Sequence, residues 1–145
     1  MMLEARRITL SYGPHEAVKD VSLHLEEGQC LMVIGPNGAG KSSLIAALSG
    51  SKPYAGTVLL NGQDSKALSP RGRARLVGVL SQRQAVHYAF TVEEVVRLGR
   101  YPHRKGWFSG ADPAGEAMVD RALAWTGMGE MRSRSILSDG ESESR

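Results

Sequence analysis

The residues best suited to chemistry lie together at positions 35–42, which read GPNGAGKS. Two glycines five positions apart, followed by lysine and then serine, fit the pattern of a phosphate-binding loop. Glycines permit backbone angles that turn successive N–H groups towards one point, with no Cβ in the way of an anion. Lys41 supplies a mobile charge for the outer phosphates, and the Ser42 hydroxyl is placed to ligate Mg²⁺. The stretch predicts binding of a nucleoside triphosphate with magnesium, and a purely structural glycine turn is the alternative.

The segments on either side of this loop favour the first interpretation. Residues 30–34 are apolar at every position, which is typical of a β-strand covered on both faces. Cys30, which begins this run, is predicted to be a buried small hydrophobe. After the loop, residues 42–49 carry an apolar stripe at helical spacing that ends at Gly50: Leu44, Ile45, Ala47 and Leu48. A strand, a glycine-rich turn and a helix are the context that a phosphate-binding loop requires.

Four further segments predict strands. Residues 8–12 and 21–25 alternate between apolar and polar side chains and are separated by a Gly-Pro turn signal, so they predict half-exposed antiparallel strands. Residues 57–60 precede an Asn-Gly pair and predict a strand with a tight turn. Residues 76–80 predict a short buried strand.

Two helices are predicted in the second half of the chain. Thr91 and Glu94 have the spacing of a capping box, so a helix should run from there to about Gly99. A second helix is predicted over residues 113–125, with Gly127 just beyond its end.

Composition excludes several classes of protein. With 145 residues, 41% of them hydrophobic and 23% charged, the chain has the composition of a mixed globular domain. Its apolar runs are far shorter than the roughly 20 residues that cross a bilayer, and its first residues lack the apolar core of a secretion signal. A net charge of +3, with no aromatic residues interleaved among the arginines, predicts no nucleic-acid binding. We therefore expect a cytoplasmic protein.

The sequence also argues against a GTPase. Such a protein would need the guanine-reading motif Asn-Lys-x-Asp, and the two asparagines, Asn37 and Asn61, are not followed by lysine. Residues 112–115 mimic the Asp-x-x-Gly of GTPases but are interpreted as a loop and helix start.

Three other motifs occur along the chain, one before the loop and two after it. Tyr12 precedes the loop, Gln82 ends the segment Leu-Ser-Gln, and residues 137–141 read LSDGE. Together with the phosphate-binding loop they resemble the ATP-binding subunit of an ATP-binding cassette (ABC) transporter. Residues 90–100, with the Pro-His pair that follows shortly after, resemble the haemin, iron-siderophore and vitamin B12 importers in particular.

The resemblance implies an α/β fold of the P-loop NTPase class, in its ABC ATPase form. It implies a nucleotide-binding core at residues 1–82, with N-terminal antiparallel strands, and part of a helical subdomain at residues 83–145. The family's later elements have no counterpart here: the Walker B strand with its metal-binding aspartate, the glutamate that polarises water, and the switch histidine. The central sheet is therefore expected to be incomplete, and we expect marginal stability from unpaired apolar edges.

The resemblance also implies roles for individual residues. Lys41 and Gln82 would be catalytic, and Ser42 and Gln82 would contact Mg²⁺. The residues that would bind ATP are Tyr12, Gly35, Pro36, Asn37, Gly38, Ala39, Gly40, Lys41, Ser42 and Ser43, with Tyr12 stacking on adenine. Ser138 and Gly140 would face the γ-phosphate held by a second subunit, with Asp139 at a position where glycine is commonest. His87 and His103 are interpreted as solvated loop residues, not haem ligands.

The implied function is that of an ATP-binding subunit that couples ATP binding and hydrolysis to uptake of haemin or a related iron chelate. The implied partners are ATP, a second copy of the subunit in a homodimer, and a transmembrane permease. The subunit would lie in the cytoplasm on the inner face of the membrane through that permease. The alternative is a truncated nucleotide-binding module without catalysis.

Overall fold

The computed structural model describes residues 2–80, 89–103 and 113–136. The chain divides into two compact units, Met1–Val79 and Leu80–Arg145. The boundary predicted from the sequence, between residues 82 and 83, lies outside the described residues.

A four-stranded antiparallel sheet dominates the first unit. Its strands are β1 (Leu3–Tyr12), β2 (His15–Leu25), β3 (Ala55–Leu60) and β4 (Gln63–Asp64), in the spatial order β2-β1-β3-β4. The predicted turns are confirmed, because both hairpins reverse at residues with positive φ. Asn61 and Gly62 have φ of 49° and 78°, as the tight turn between β3 and β4 requires.

A paired irregularity interrupts the register of the hairpin formed by β1 and β2. Arg7 and Asp20 have φ of 51° and 48°, and the register between the strands shifts on either side of Ile8. Side-chain hydroxyls accept hydrogen bonds from the backbone amides that the irregularity displaces. Arg7 N–H donates to Ser22 Oγ at 2.9 Å, and Asp20 N–H donates to Thr9 Oγ1 at 3.1 Å. Such bulges break strict alternation, which is why inward-facing residues of β1 are not evenly spaced.

One helix covers the inner face of this sheet. Helix α1 (Lys41–Leu48) buries Leu44 and Ala47, and the short helix α2 (Pro70–Ala74) begins at Ser69, whose hydroxyl accepts from Gly72 N–H. The buried cluster combines residues of the sheet and α1: Ala5, Ile8, Leu10, Val18, Leu44, Ala47, Val58 and Leu60. The predicted helix after the loop is confirmed, but its predicted apolar stripe is buried only in part, because Ile45 is 48% exposed.

Two strand predictions are wrong for the described residues. Residues 30–34 form no strand, and the side chains of Met32 and Ile34 are 78% and 83% exposed. Cys30 is also exposed, contrary to prediction. Residues 76–80 likewise pair with no described strand, and Leu80 is 97% exposed. An apolar run supplies the side chains of a buried strand, but the strand forms only where a neighbour accepts its backbone hydrogen bonds.

The second unit contains helices α3 (Val92–Leu98) and α4 (Pro113–Trp125), each confirming a prediction. The capping box of α3 is present: Glu94 N–H donates to Thr91 Oγ1 at 3.2 Å, and Thr91 N–H donates to Glu94 Oε2 at 2.8 Å. Helix α4 buries Val119 and Leu123. None of the described helices is long and apolar enough to span a membrane.

Ion pairs link the elements of the second unit. Glu93 accepts from Arg97 at 2.6 Å and from Arg132 at 3.0 Å. Arg97 also pairs with Glu116 on α4, and Arg132 with Asp120 on the same helix at 3.1 Å. The hydrogen bonds from Arg132 and then Arg97 lower the pKa of Glu93 below its ordinary value.

Candidate nucleotide-binding site

The loop before α1 depends on a close approach between Gly40 and strand β2. Gly38 and Gly40 both have φ of 82°, a left-handed conformation that glycine adopts without steric cost. A Cβ on Gly40 would lie 2.0 Å from the carbonyl oxygen of Ala17, whereas a Cβ on Gly38 would meet nothing within 4 Å. Position 40 therefore strongly favours glycine, since both its conformation and its contact with β2 disfavour a side chain.

Backbone amides with no acceptor gather at this loop and at the first turn of α1. Ala39 N–H donates to Pro36 O at 3.3 Å, and Leu44 N–H donates to Gly40 O at 2.8 Å. Within the described residues no acceptor is present for the amides of Asn37, Gly38, Gly40, Lys41, Ser42 and Ser43. Unpaired amides at the positive end of a helix form the environment that an anion prefers.

Lys41 spans the loop with its ammonium group. Nζ donates to Gly35 O at 2.8 Å and to Pro36 O at 2.7 Å, which ties the end of the loop to its beginning. An ammonium group carries three N–H donors, so one remains for a ligand. The same group can therefore hold the loop in shape and contact an anion.

Tyr12 lies beside the first turn of α1. It is the last residue of β1, it pairs with His15 across the hairpin, and 47% of it is exposed. The hydroxyl of Ser43 lies 3.5 Å from the Tyr12 hydroxyl, at the outer limit of a hydrogen bond. The fold thus brings an exposed aromatic ring from residue 12 to a helix that begins 29 positions later along the chain.

The residues present fit a magnesium nucleotide. The Ser42 side chain is exposed at the first turn of α1, and no cluster of three histidine, cysteine or acidic residues that could hold a metal occurs among residues that the structure describes. Mg²⁺ commonly keeps several waters and takes few protein ligands together with phosphate oxygens. One serine hydroxyl beside a phosphate-binding loop matches that demand.

A sequence profile described as "ABC transporter" matches residues 18–144. The chain belongs to the ABC transporter family. It is 44% identical over 138 residues to the "Hemin import ATP-binding protein HmuV" of Pseudomonas entomophila, covering 94% of this chain and 52% of that protein. It is 38% identical over 144 residues to the "Cobalamin import ATP-binding protein BtuD" of Halobacterium salinarum, covering 97% of this chain and 35% of that protein.

A solved structure described as the "ATP binding subunit of ABC transporter" has the same fold. The TM-score is 0.74 at 23% identity, and the match covers 92% of this chain and 53% of that one. The predicted fold class, an ABC ATPase of the α/β type, is confirmed by this likeness. The chain spans about half or less of the length of these relatives.

Other residues predicted for this ABC transporter site lie outside the described residues: Gln82, Ser138, Asp139 and Gly140. The structure brings together the rest, namely the loop, Lys41, Ser42, Ser43 and Tyr12. One participant was missed from the sequence. The carbonyl of Ala17 supports the loop under Gly40, and no sequence signal marks it, because a backbone oxygen is present at every residue.

Proposed function

We propose that this chain is the nucleotide-binding part of the ATP-binding subunit of an ABC importer. The subunit couples ATP binding and hydrolysis to uptake of haemin or a related iron chelate. The main support for the proposal is the loop before α1. Gly40 packs against Ala17 O, and Lys41 Nζ donates hydrogen bonds to the carbonyls of Gly35 and Pro36 at the start of the loop. Because position 40 carries no Cβ, the loop can lie against β2 in a left-handed conformation, the kind of backbone geometry from which phosphate-binding concavities are made.

Each described residue has a role that follows from its position. The amides of the loop and of the first turn of α1 bind phosphate oxygens, and the third N–H of Lys41 contacts the outermost phosphate. The Ser42 hydroxyl ligates Mg²⁺. Tyr12 offers its exposed ring as a stacking surface for the adenine base. Ser43, in the first turn of α1, restrains the tyrosine through its hydroxyl, which lies 3.5 Å from the Tyr12 hydroxyl.

ATP supplies the phosphoryl group whose transfer to water drives transport. The chain's own contribution is placement and charge, because phosphoryl transfer depends almost entirely on these. Lys41 stabilises charge on the outer phosphate oxygens, and Gln82 is the proposed contact to Mg²⁺ and to the attacking water. Gln82 is assigned from its motif alone.

We further propose a homodimer and a permease as partners. Ser138 and Gly140 would face the γ-phosphate held by the second subunit, and the permease would keep the subunit at the inner face of the membrane. The choice of cargo follows the relatives: one is named for hemin import and another for cobalamin import. We prefer haemin over cobalamin as the cargo, because this chain is 44% identical to the hemin-import protein and 38% identical to the cobalamin-import protein.

The test measures MgATP binding and phosphate release by the chain and by Lys41→Ala. Lys19→Ala is the matched control, because Lys19 is an exposed lysine on β2 that pairs only with Glu16 among described residues. We expect Lys41→Ala to weaken MgATP binding by about 10- to 100-fold, since a charge-assisted contact is lost. Lys19→Ala should bind normally.

Phosphate release separates the importer subunit from its alternative. Turnover that Lys41→Ala abolishes supports an ATPase, whereas binding without turnover supports the non-catalytic module. Equal binding by Lys41→Ala and the unchanged chain would refute nucleotide binding at this loop.

A further inference from the structure

A second positively charged pocket lies at the opposite end of α1 from the phosphate-binding loop. It has a volume of about 400 Å³ and is lined by Gly50, Ser51, Lys52, Pro53, Tyr54, Lys66 and Arg73. Three of these side chains are cationic and none is acidic. We call it the basic pocket. It lies wholly within the first unit, between the end of α1, the start of β3 and α2.

Two of the cations are fixed in position by neutral partners. Lys66 Nζ donates to Gly56 O at 2.8 Å and stands 4.5 Å from the centre of the Tyr54 ring. Arg73 Nη1 donates to Ser65 O at 2.9 Å. Each side chain retains further N–H donors, because an ammonium group has three and a guanidinium group has five.

Gly50 allows the guanidinium group to lie against the backbone. A Cβ at this position would approach Arg73 Nε to 2.8 Å and Cζ to 3.0 Å, and Gly50 has φ of 69°. Any other residue would push the arginine side chain away. The pocket wall is thus shaped around a cation.

The charges of the pocket are not neutralised within the described residues. No carboxylate lies within salt-bridge distance of Lys52, Lys66 or Arg73 in the part of the chain that the structure describes. The nearest acidic neighbour in sequence, Asp64, accepts a hydrogen bond from Lys66 N–H at 2.9 Å through Oδ1. Four arginines elsewhere among the described residues, Arg6, Arg7, Arg97 and Arg132, are each paired with an acid.

The carbonyl groups at the C-terminal end of α1 are not the hydrogen-bond acceptors that hold Lys66 and Arg73 in place. Lys66 and Arg73 donate to carbonyls of Gly56 and Ser65, which do not belong to that helix. Two carbonyls of the last turn of α1 are already occupied by backbone donors, because Gly50 N–H donates to Ala47 O and the amides of Ser51 and Lys52 donate to Ala46 O. A dianion would satisfy the remaining donors, and the volume accommodates it with several waters.

The geometry points to a second anion site in the basic pocket, which binds a phosphate group held by Lys52, Lys66 and Arg73. The ligand is a phosphate, either free or on a phospholipid headgroup. This site is independent of the phosphate-binding loop and of the proposed ATPase activity.

The test follows backbone amide chemical shifts of the isotopically labelled chain during titration with inorganic phosphate at constant ionic strength. Shifts at Ser51 and Lys52 report the basic pocket, and shifts at Gly38 and Gly40 report the loop. We expect the basic-pocket shifts to persist in Lys41→Ala. A failed nucleotide site and a failed basic pocket are therefore distinguishable.

Charge reversal at Lys52 is the decisive variant, because its side chain makes no hydrogen bond or ion pair within the described residues that the substitution would remove. Lys52→Glu should weaken phosphate binding at the pocket by about tenfold or more. Lys19→Glu makes the same change of charge on strand β2, away from the pocket, and should leave phosphate binding at the pocket unchanged. Lys66→Met should also weaken binding, and circular dichroism verifies that each variant is folded.

Vesicles distinguish the source of the phosphate. Cosedimentation with phosphatidylcholine vesicles that contain phosphatidic acid, but not with phosphatidylcholine alone, and its loss in Lys52→Glu would identify a headgroup. Saturable shifts with inorganic phosphate, without cosedimentation, would identify a free phosphate. The proposal is overturned if neither probe affects Ser51 and Lys52, or if Lys52→Glu responds as the unchanged chain does.

Discussion

Replacing Gly40 with alanine tests the packing that shapes the phosphate-binding loop. The new Cβ would lie 2.0 Å from Ala17 O, whereas ordinary contact begins at 3.4 Å, so the loop or strand β2 must move by about 1.4 Å. Gly38→Ala is the matched control. It has the same φ of 82° but open space around its Cβ.

The magnitude follows from separating conformational strain from the clash. A non-glycine residue in the left-handed region costs about 1–2 kcal/mol, and both variants bear this cost. Displacing packed backbone adds a cost similar to overpacking a core, about 1–3 kcal/mol, in Gly40→Ala alone. The free energy of unfolding of the first unit should therefore fall by about 1–3 kcal/mol more in Gly40→Ala than in Gly38→Ala. That difference is roughly 5- to 150-fold in the folding equilibrium.

Amide hydrogen exchange measures this difference in the first unit itself. Buried strand residues such as Ala5 and Val18 report the opening of the sheet, separately from the second unit. Urea unfolding followed by circular dichroism provides a second measure of the free energy. Equal destabilisation by Gly40→Ala and Gly38→Ala would show that Ala17 does not limit the loop, and the reasoning would be refuted.

Three further predictions concern single side chains. Lys41→Ala should weaken MgATP binding by about 10- to 100-fold in a calorimetric titration, and unaltered affinity would contradict the role of its ammonium group. Glu93 has a lowered pKa because of Arg132, so its contribution to stability is present above the ordinary glutamate pKa of about 4.3 and lost as pH falls through the lower folded value. Thermal unfolding from neutral to acidic pH should show this loss, reduced in Glu93→Gln and unchanged in Glu130→Gln; equal pH profiles for both variants would refute it. Thr91→Ala should cost about 1 kcal/mol of stability by removing the cap of α3, and Thr91→Ser should restore most of it in urea unfolding.

Local chemistry made part of the fold predictable. The capping box at Thr91 and the Asn-Gly turn before β4 succeed because each depends on residues only a few positions apart. The loop before α1 is recognisable for the same reason. Its glycines, lysine and serine are contiguous in the chain.

Two strand predictions that required a partner elsewhere in the chain failed. Residues 30–34 and 76–80 have the composition of buried strands, yet no described strand pairs with either. Cys30 is predicted to be buried and is exposed, because its burial depended on a strand at residues 30–34 that pairs with no described strand. A hydrophobic sequence shows that burying the segment would be favourable. A strand also needs a neighbouring strand whose backbone groups pair with its own, and composition does not show whether one is present.

The sequence by itself determined the phosphate-binding loop and its helix, because these rest on residues adjacent in the chain, and it determined the family through motifs that follow one another along the chain. Only the tertiary structure decided what surrounds them: the Ala17 carbonyl under Gly40, the Tyr12 ring beside Ser43, and the three cations of the basic pocket. Those contacts join residues far apart in sequence. They arise when the sheet and α1 pack together, and no local pattern encodes the distances between them.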